Sequence, residues 1–172
     1  MTLHRITSKV KGEKKMRKHI LVLMIAMVFV MALATVALAA DPNVGTWKLN
    51  VAKSRLPNPP GMKSSIVTVT AQDNGIKVVA DGVNAEGKAT HTEYAAKYDG
   101  KDYPFTGGSG ADTIMLTKID ANTFDEVLKK GGKELSSGRN VVSKDGKTMT
   151  LTMKAKNPQG QDVNITAVYD KQ

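Results

Sequence analysis

From Ser64 onward, apolar and polar residues alternate with a period of two, and turn formers interrupt the alternation about every 8 to 12 residues. That pattern constrains the fold more than any other feature of the chain. In Thr148 to Ala155, Met149, Leu151, Met153 and Ala155 point one way while Thr148, Thr150, Thr152 and Lys154 point the other. Val67, Val69 and Ala71 alternate with Thr68 and Thr70, and Asp73-Asn74-Gly75 then supplies a hairpin turn that needs positive φ. Ala89 to Tyr98 places Thr90, Thr92, Tyr94, Ala96 and Tyr98 on one face, with His91, Glu93 and Lys97 on the other. Further segments are expected at Ile114 to Leu116, Phe124 to Lys129, Glu134 to Val142 and Val163 to Tyr169. Tyr103-Pro104-Phe105 reads as a brief strand at an edge or end, because proline cannot donate to a ladder.

About ten such strands without an amphipathic helix make an all-β protein. Short turns between consecutive strands favour an antiparallel up-and-down meander. A long meander removes its exposed edges by closing on itself, so a barrel is expected rather than a sandwich. Gly45-Thr46-Trp47-Lys48-Leu49-Asn50 reads as its first strand. Gly45 enters without a Cβ, and Trp47, the single tryptophan, is the side chain best able to plug one end of the core. Between Arg55 and Gly61, Pro57, Pro59 and Pro60 forbid a regular helix or central strand and predict an extended crossover or lid.

The first forty residues read differently. Lys9, Lys11, Lys14, Lys15, Arg17 and Lys18 precede an uncharged apolar run, Ile20 to Ala40, which ends in Ala37-Leu38-Ala39. This is the order of a secretory signal peptide, with cleavage expected after Ala39 and Met16 a natural start alternative to Met1. The run is also long enough for an uncleaved anchor, but no basic stop-transfer cluster follows it. The expected organisation is 1–39 as extension and signal peptide and 40–172 as one barrel domain, secreted or periplasmic, meeting a membrane only through the signal segment before cleavage.

Of the chain's 25 basic and 16 acidic residues, seven and one lie in residues 1–40, which leaves 18 and 15 in the remainder, a net charge of +3. Those charges alternate in sign along every segment, which excludes the clustered basic face of a nucleic-acid binder. There is no cysteine, and His91 is the one histidine after residue 40, so thiol catalysis, disulfides and Cys/His metal sites are excluded. No metal or cofactor is expected, and the barrel is expected to be monomeric.

The two ends of the expected barrel resemble a known group. Gly45-Thr46-Trp47-Lys48-Leu49 resembles the opening Gly-x-Trp strand of the calycins, the lipocalins and intracellular fatty-acid-binding proteins, and Ala167-Val168-Tyr169-Asp170-Lys171 is similar to the closing strand of the latter. The resemblance implies a lipocalin-like barrel, with Trp47 on the family's structural tryptophan and Tyr169 on the tyrosine that helps hold a ligand carboxylate. Two departures stand beside it. The family's arginine two positions before that tyrosine is Ala167 here, and its helix-turn-helix lid is replaced by the proline-rich crossover. The Gly-Thr-Trp-Lys-Leu-Asn opening is also similar to that of small exported bacterial proteins of unassigned role.

Side chains that could carry chemistry are few. His91 and Glu93 share a strand face and could shuttle a proton, but no nucleophile or metal set accompanies them, and no catalytic residue is assigned. Arg139, in Ser136-Ser137-Gly138-Arg139-Asn140, has three readings: an inward anion anchor, a cation stacked on Trp47 at the barrel floor, or an exposed arginine. Gly107 to Gly110 precedes a strand rather than a helix and reads as a hairpin loop, not a phosphate cradle. Tyr94, Tyr98, Tyr103, Phe105, Phe124, Met115, Met149 and Met153 are core, or else line a cavity where thioethers adapt to loosely shaped apolar ligands.

A ten-stranded barrel is wider than its own side chains readily fill. The expectation is therefore an exported, non-enzymatic β-barrel that binds a small hydrophobic or amphipathic molecule through Tyr169, Arg139, Tyr94, Tyr98, Met149 and Met153. The alternative is a structural or partner-binding envelope protein with a packed interior.

Overall fold

The computed structural model describes residues 41–56, 61–156 and 160–172. Residues 1–40, which hold the expected signal peptide, Pro57 to Pro60 of the expected crossover, and Asn157 to Gln159 lie outside them. The described chain runs through ten strands: β1 (Gly45–Leu49), β2 (Met62–Gln72), β3 (Gly75–Asn84), β4 (Ala89–Lys97), β5 (Asp99–Gly107), β6 (Thr113–Lys118), β7 (Thr123–Lys130), β8 (Lys133–Val142), β9 (Thr148–Lys156) and β10 (Asp162–Lys171). Each pairs antiparallel with its neighbours in sequence, and β1 pairs with β10, so the sheet closes into a barrel. The fold is the closed antiparallel up-and-down barrel that the strand pattern predicted, and among the described residues its one helical element is a 3-10 turn, Val51–Lys53.

Alternation sets which side chains face inward. Along β2, Ser65, Val67 and Val69 are buried while Lys63, Ser64, Ile66, Thr68 and Thr70 are exposed. The same phase runs through Ile76 and Val78 of β3, Ala96 of β4, Ile114 and Leu116 of β6, and Phe124, Glu126 and Leu128 of β7. A shift of one residue would turn every one of these out to water, so burial of one face fixes the register.

Turn chemistry matches the backbone. Asn74 takes φ 59° in the two-residue β2–β3 hairpin, where Gln72 pairs with Gly75. Gly45 enters β1 at φ 142°, a region that side chains disfavour, and a Cβ there would meet the Lys171 side chain at 2.7 Å.

One strand departs from expectation. The segment around Pro104 is not a short edge piece but the middle of the nine-residue β5. Proline is accommodated because β5 is loosely held. It pairs with β4 only at Phe105 to Gly107, and its register with β6 shifts between Asp99 and Asp102. Pro104 itself faces solvent.

Candidate functional site

One end of the barrel is sealed. Trp47 is wholly buried on β1, and its indole N–H donates to the Asn43 carbonyl at 2.8 Å. The lead-in thereby folds under the barrel as a floor. Asp41 fastens it by accepting from the Asn43 backbone and side-chain amides at 3.0 and 2.7 Å, and from Lys118 Nζ at 3.1 Å. Burial pushes the Asp41 carboxyl up, but these hydrogen bonds outweigh it and hold the group below the ordinary carboxylate range. Lys118 also lies 4.3 Å from the Tyr98 ring centroid, and Tyr98 packs on Phe124 at 5.3 Å. The Tyr98 hydroxyl is sealed in near Asp41 with no partner in hydrogen-bond geometry among the described residues, and burial, then the Asp41 charge, carries its pKa far above the phenol range. Outside this floor, Asp41, Gln72, Asp73, Tyr98 and Lys118 border an open cleft.

Above the floor the inward face changes character. Tyr94 of β4, Leu151 and Met153 of β9, and Val163, Ile165 and Tyr169 of β10 all share the inward phase, yet each keeps accessible surface. Burial nonetheless pushes the Tyr94 hydroxyl well above the usual phenol value, and it also raises that of Tyr169, against the lowering effect of the Ser65 hydroxyl beside it. Together these side chains make a part-accessible inward face. Tyr94 stacks on Phe105 at 5.8 Å, which fixes the ring on that face.

Glu126 belongs to the same inward face. It stands between Phe124 and Leu128 on the apolar face of β7, opposite Gly138 of β8 and Leu116 of β6, and is 7% exposed. Among the described residues no hydrogen bond or ion pair holds its carboxylate. Burial alone raises its pKa to about 7. Its charge acts on both Tyr94 and Tyr169, which gathers an acid from β7 and phenols from β4 and β10 around one volume. Asn140, one inward step from Gly138, adds a sealed carbonyl oxygen with no donor among the described residues.

The expected site residues divide accordingly. Tyr94, Met153 and Tyr169 stand on this inward face, partly buried. Met149 and Trp47 belong to the buried core around the floor, and Tyr98 sits in the floor with Lys118 and Asp41. Arg139 is not with them: it stands on the outer face, its guanidinium donating to both Asp125 oxygens at 2.6 and 2.8 Å. The inward anchor and the Trp47 stack are both corrected by this placement, and the cation over Trp47 is Lys171, 4.9 Å from the ring centroid. His91 is likewise outward, with Nδ1 2.7 Å from Asp81 and Nε2 3.8 Å from Glu93. Met115 lies on the outer phase of β6.

Sequence reading passed over Glu126 and Asn140. The signal for Glu126 was present: in Phe124-Asp125-Glu126-Val127-Leu128 the period of two puts a carboxylate in line with two large apolar side chains.

No protein family model matches the chain, and no curated protein does. Among solved structures, the barrel is similar to that of zebrafish ileal bile acid-binding protein complexed with cholic acid, at a TM-score of 0.48 and 9% identity, covering 76% of this chain and 99% of that one.

Proposed function

We propose that this protein is a carrier or receptor for a small hydrophobic or amphipathic molecule held inside the barrel, and that it works outside the cytoplasm. One observation carries the binding half of this reading. Within a closed ring, above a sealed floor, the inward side chains of Tyr94, Leu151, Met153, Ile165 and Tyr169 keep accessible surface, even where Tyr94, Met153 and Tyr169 pack against the buried core. Close-packed interiors leave few voids larger than a water molecule, so an apolar lining that stays open is what a ligand site requires. Export is supported by the charged segment, apolar run and Ala37-Leu38-Ala39 ending of the first forty residues.

Native mass spectrometry of protein purified from its host tests the binding half. A mass excess in the wild type that organic extraction removes, and that is absent from Ala167→Trp, supports a carrier. Ala167 faces inward opposite Leu151, so tryptophan there fills the space. Recovery of a wild type with no added mass, unable to take up any apolar probe, sinks it. Export is tested separately by N-terminal sequencing of the mature protein, with Ala40 the expected first residue.

A further inference from the structure

We infer that the interior site takes an amphipathic ligand by a polar end that donates hydrogen bonds, a hydroxyl or an ammonium group, and turns away carboxylates. The inference rests on the carrier reading above and specifies its ligand class. The inward face above the floor offers an acceptor and is poor in cations. Glu126 stands on it, 7% exposed, and among the described residues no hydrogen bond or ion pair holds its carboxylate. The cations that approach the barrel axis are elsewhere and engaged: Lys118 holds Asp41 in the floor, and Lys171 lies over Trp47. Arg139, outside the barrel, is held by Asp125.

A carboxylate entering this space would meet Glu126 with no guanidinium or ammonium to offset either charge, and an unpaired charge pair in a low-dielectric interior is strongly unfavourable. A hydroxyl instead donates to Glu126 in either protonation state, and an ammonium gains an ion pair once Glu126 is ionised. The groups that face Glu126 across the space are the Tyr94 and Tyr169 phenols, with Leu116 and Gly138 flanking it on adjacent strands. Both phenols stay neutral across the working range, so Glu126 is the group that titrates there.

The test is competition against N-phenyl-1-naphthylamine, a neutral fluorescent probe for apolar cavities, on the barrel at about pH 8. Decanol, decylamine and decanoate share one tail and differ in the polar end. Decanol and decylamine are expected to displace the probe at concentrations at least about tenfold lower than decanoate. The decylamine advantage over decanol is expected to shrink at about pH 6, as Glu126 takes up a proton, and to become pH-independent in Glu126→Gln. Displacement by decanoate as strong as by decanol in the wild type overturns the donor selectivity while leaving the carrier reading intact. A barrel that does not bind the probe overturns both. Because the wild-type comparison decides the selectivity, the result does not depend on the variant folding.

Discussion

Leu49 lies directly opposite Tyr169 across the seam where the first and last strands meet. That pair, with Lys48 opposite Asp170 and Trp47 opposite Lys171, turns a ribbon into a container. At three residue pairs the seam is as short as the β4–β5 ladder, and side chains extend it. Ser54 Oγ donates to the Asn50 carbonyl at 2.7 Å and accepts from the Val168 amide at 2.9 Å, so one hydroxyl joins the chain after β1 to the backbone of β10. Asn50 Nδ2 adds a bond to Asp170 at 2.7 Å.

Replacing Ser54 by alanine removes that relay and leaves the partly buried Val168 amide without an acceptor. The expected loss is about 1–3 kcal/mol of unfolding free energy. Urea denaturation monitored by circular dichroism measures it, and the Val168 amide should exchange with solvent sooner than its neighbours in β10. An unchanged midpoint and unchanged exchange would show that the seam does not need the hydroxyl.

Trp47→Ala empties the largest buried side chain of the floor and deprives the Asn43 carbonyl of its donor. Large-to-small changes of this kind cost about 3–5 kcal/mol. The thermal midpoint should fall steeply, with the Asp41 to Asn43 lead-in the first segment to lose protease resistance. A loss below about 1 kcal/mol would mean that the indole is not what seals this end.

The architecture was legible because each of its causes is local. Alternation of Val67 and Val69 with Thr68 and Thr70 needs no partner to be read, nor does the turn preference of Asp73-Asn74-Gly75. Strand phase was harder where glycine and serine blur it. In Ser136-Ser137-Gly138-Arg139-Asn140 the polar residues gave no inward side, and Leu135 and Val141 invited a phase that put Arg139 in question. The structure takes its phase from Val142, so Ser136 and Asn140 are buried while Leu135 and Val141 are exposed. Whether Glu126 has a partner depends on side chains brought in from β4 and β10, and no local pattern carries that.

His91 tests the outer face. Its hydrogen bond to Asp81, followed by the charges of Asp81 and Glu93, raises its pKa above the ordinary histidine value. In an NMR titration its ring signals should therefore move at higher pH than a free histidine, and Asp81→Asn should bring the midpoint down. Because the pair is exposed, the displacement should diminish in high salt. A midpoint indifferent to Asp81→Asn would mean that the contact does not persist in solution.

Glu126 gives stability a pH dependence of its own. Its carboxyl titrates at about 7 in the folded protein, against 4.5 for an unburied glutamate. An acid whose folded pKa is raised holds its proton more tightly in the native state, so its contribution is fully present below about pH 4.5 and is lost as pH rises through 7. Between these limits the difference corresponds to about 3 kcal/mol, since each unit is worth about 1.4 kcal/mol. The carboxylates whose pKa values are lowered, Asp41 and Asp125 among them, act in the opposite sense and only in more acidic solution. His91, with its raised pKa, shares the sign of Glu126, so the comparison that isolates the buried acid is between the wild type and Glu126→Gln. Denaturation midpoints should fall for the wild type from about pH 5 to about pH 8, and most of that fall should vanish in the glutamine variant. If the two proteins keep parallel profiles, the Glu126 carboxylate is solvated or paired in solution rather than buried without a partner.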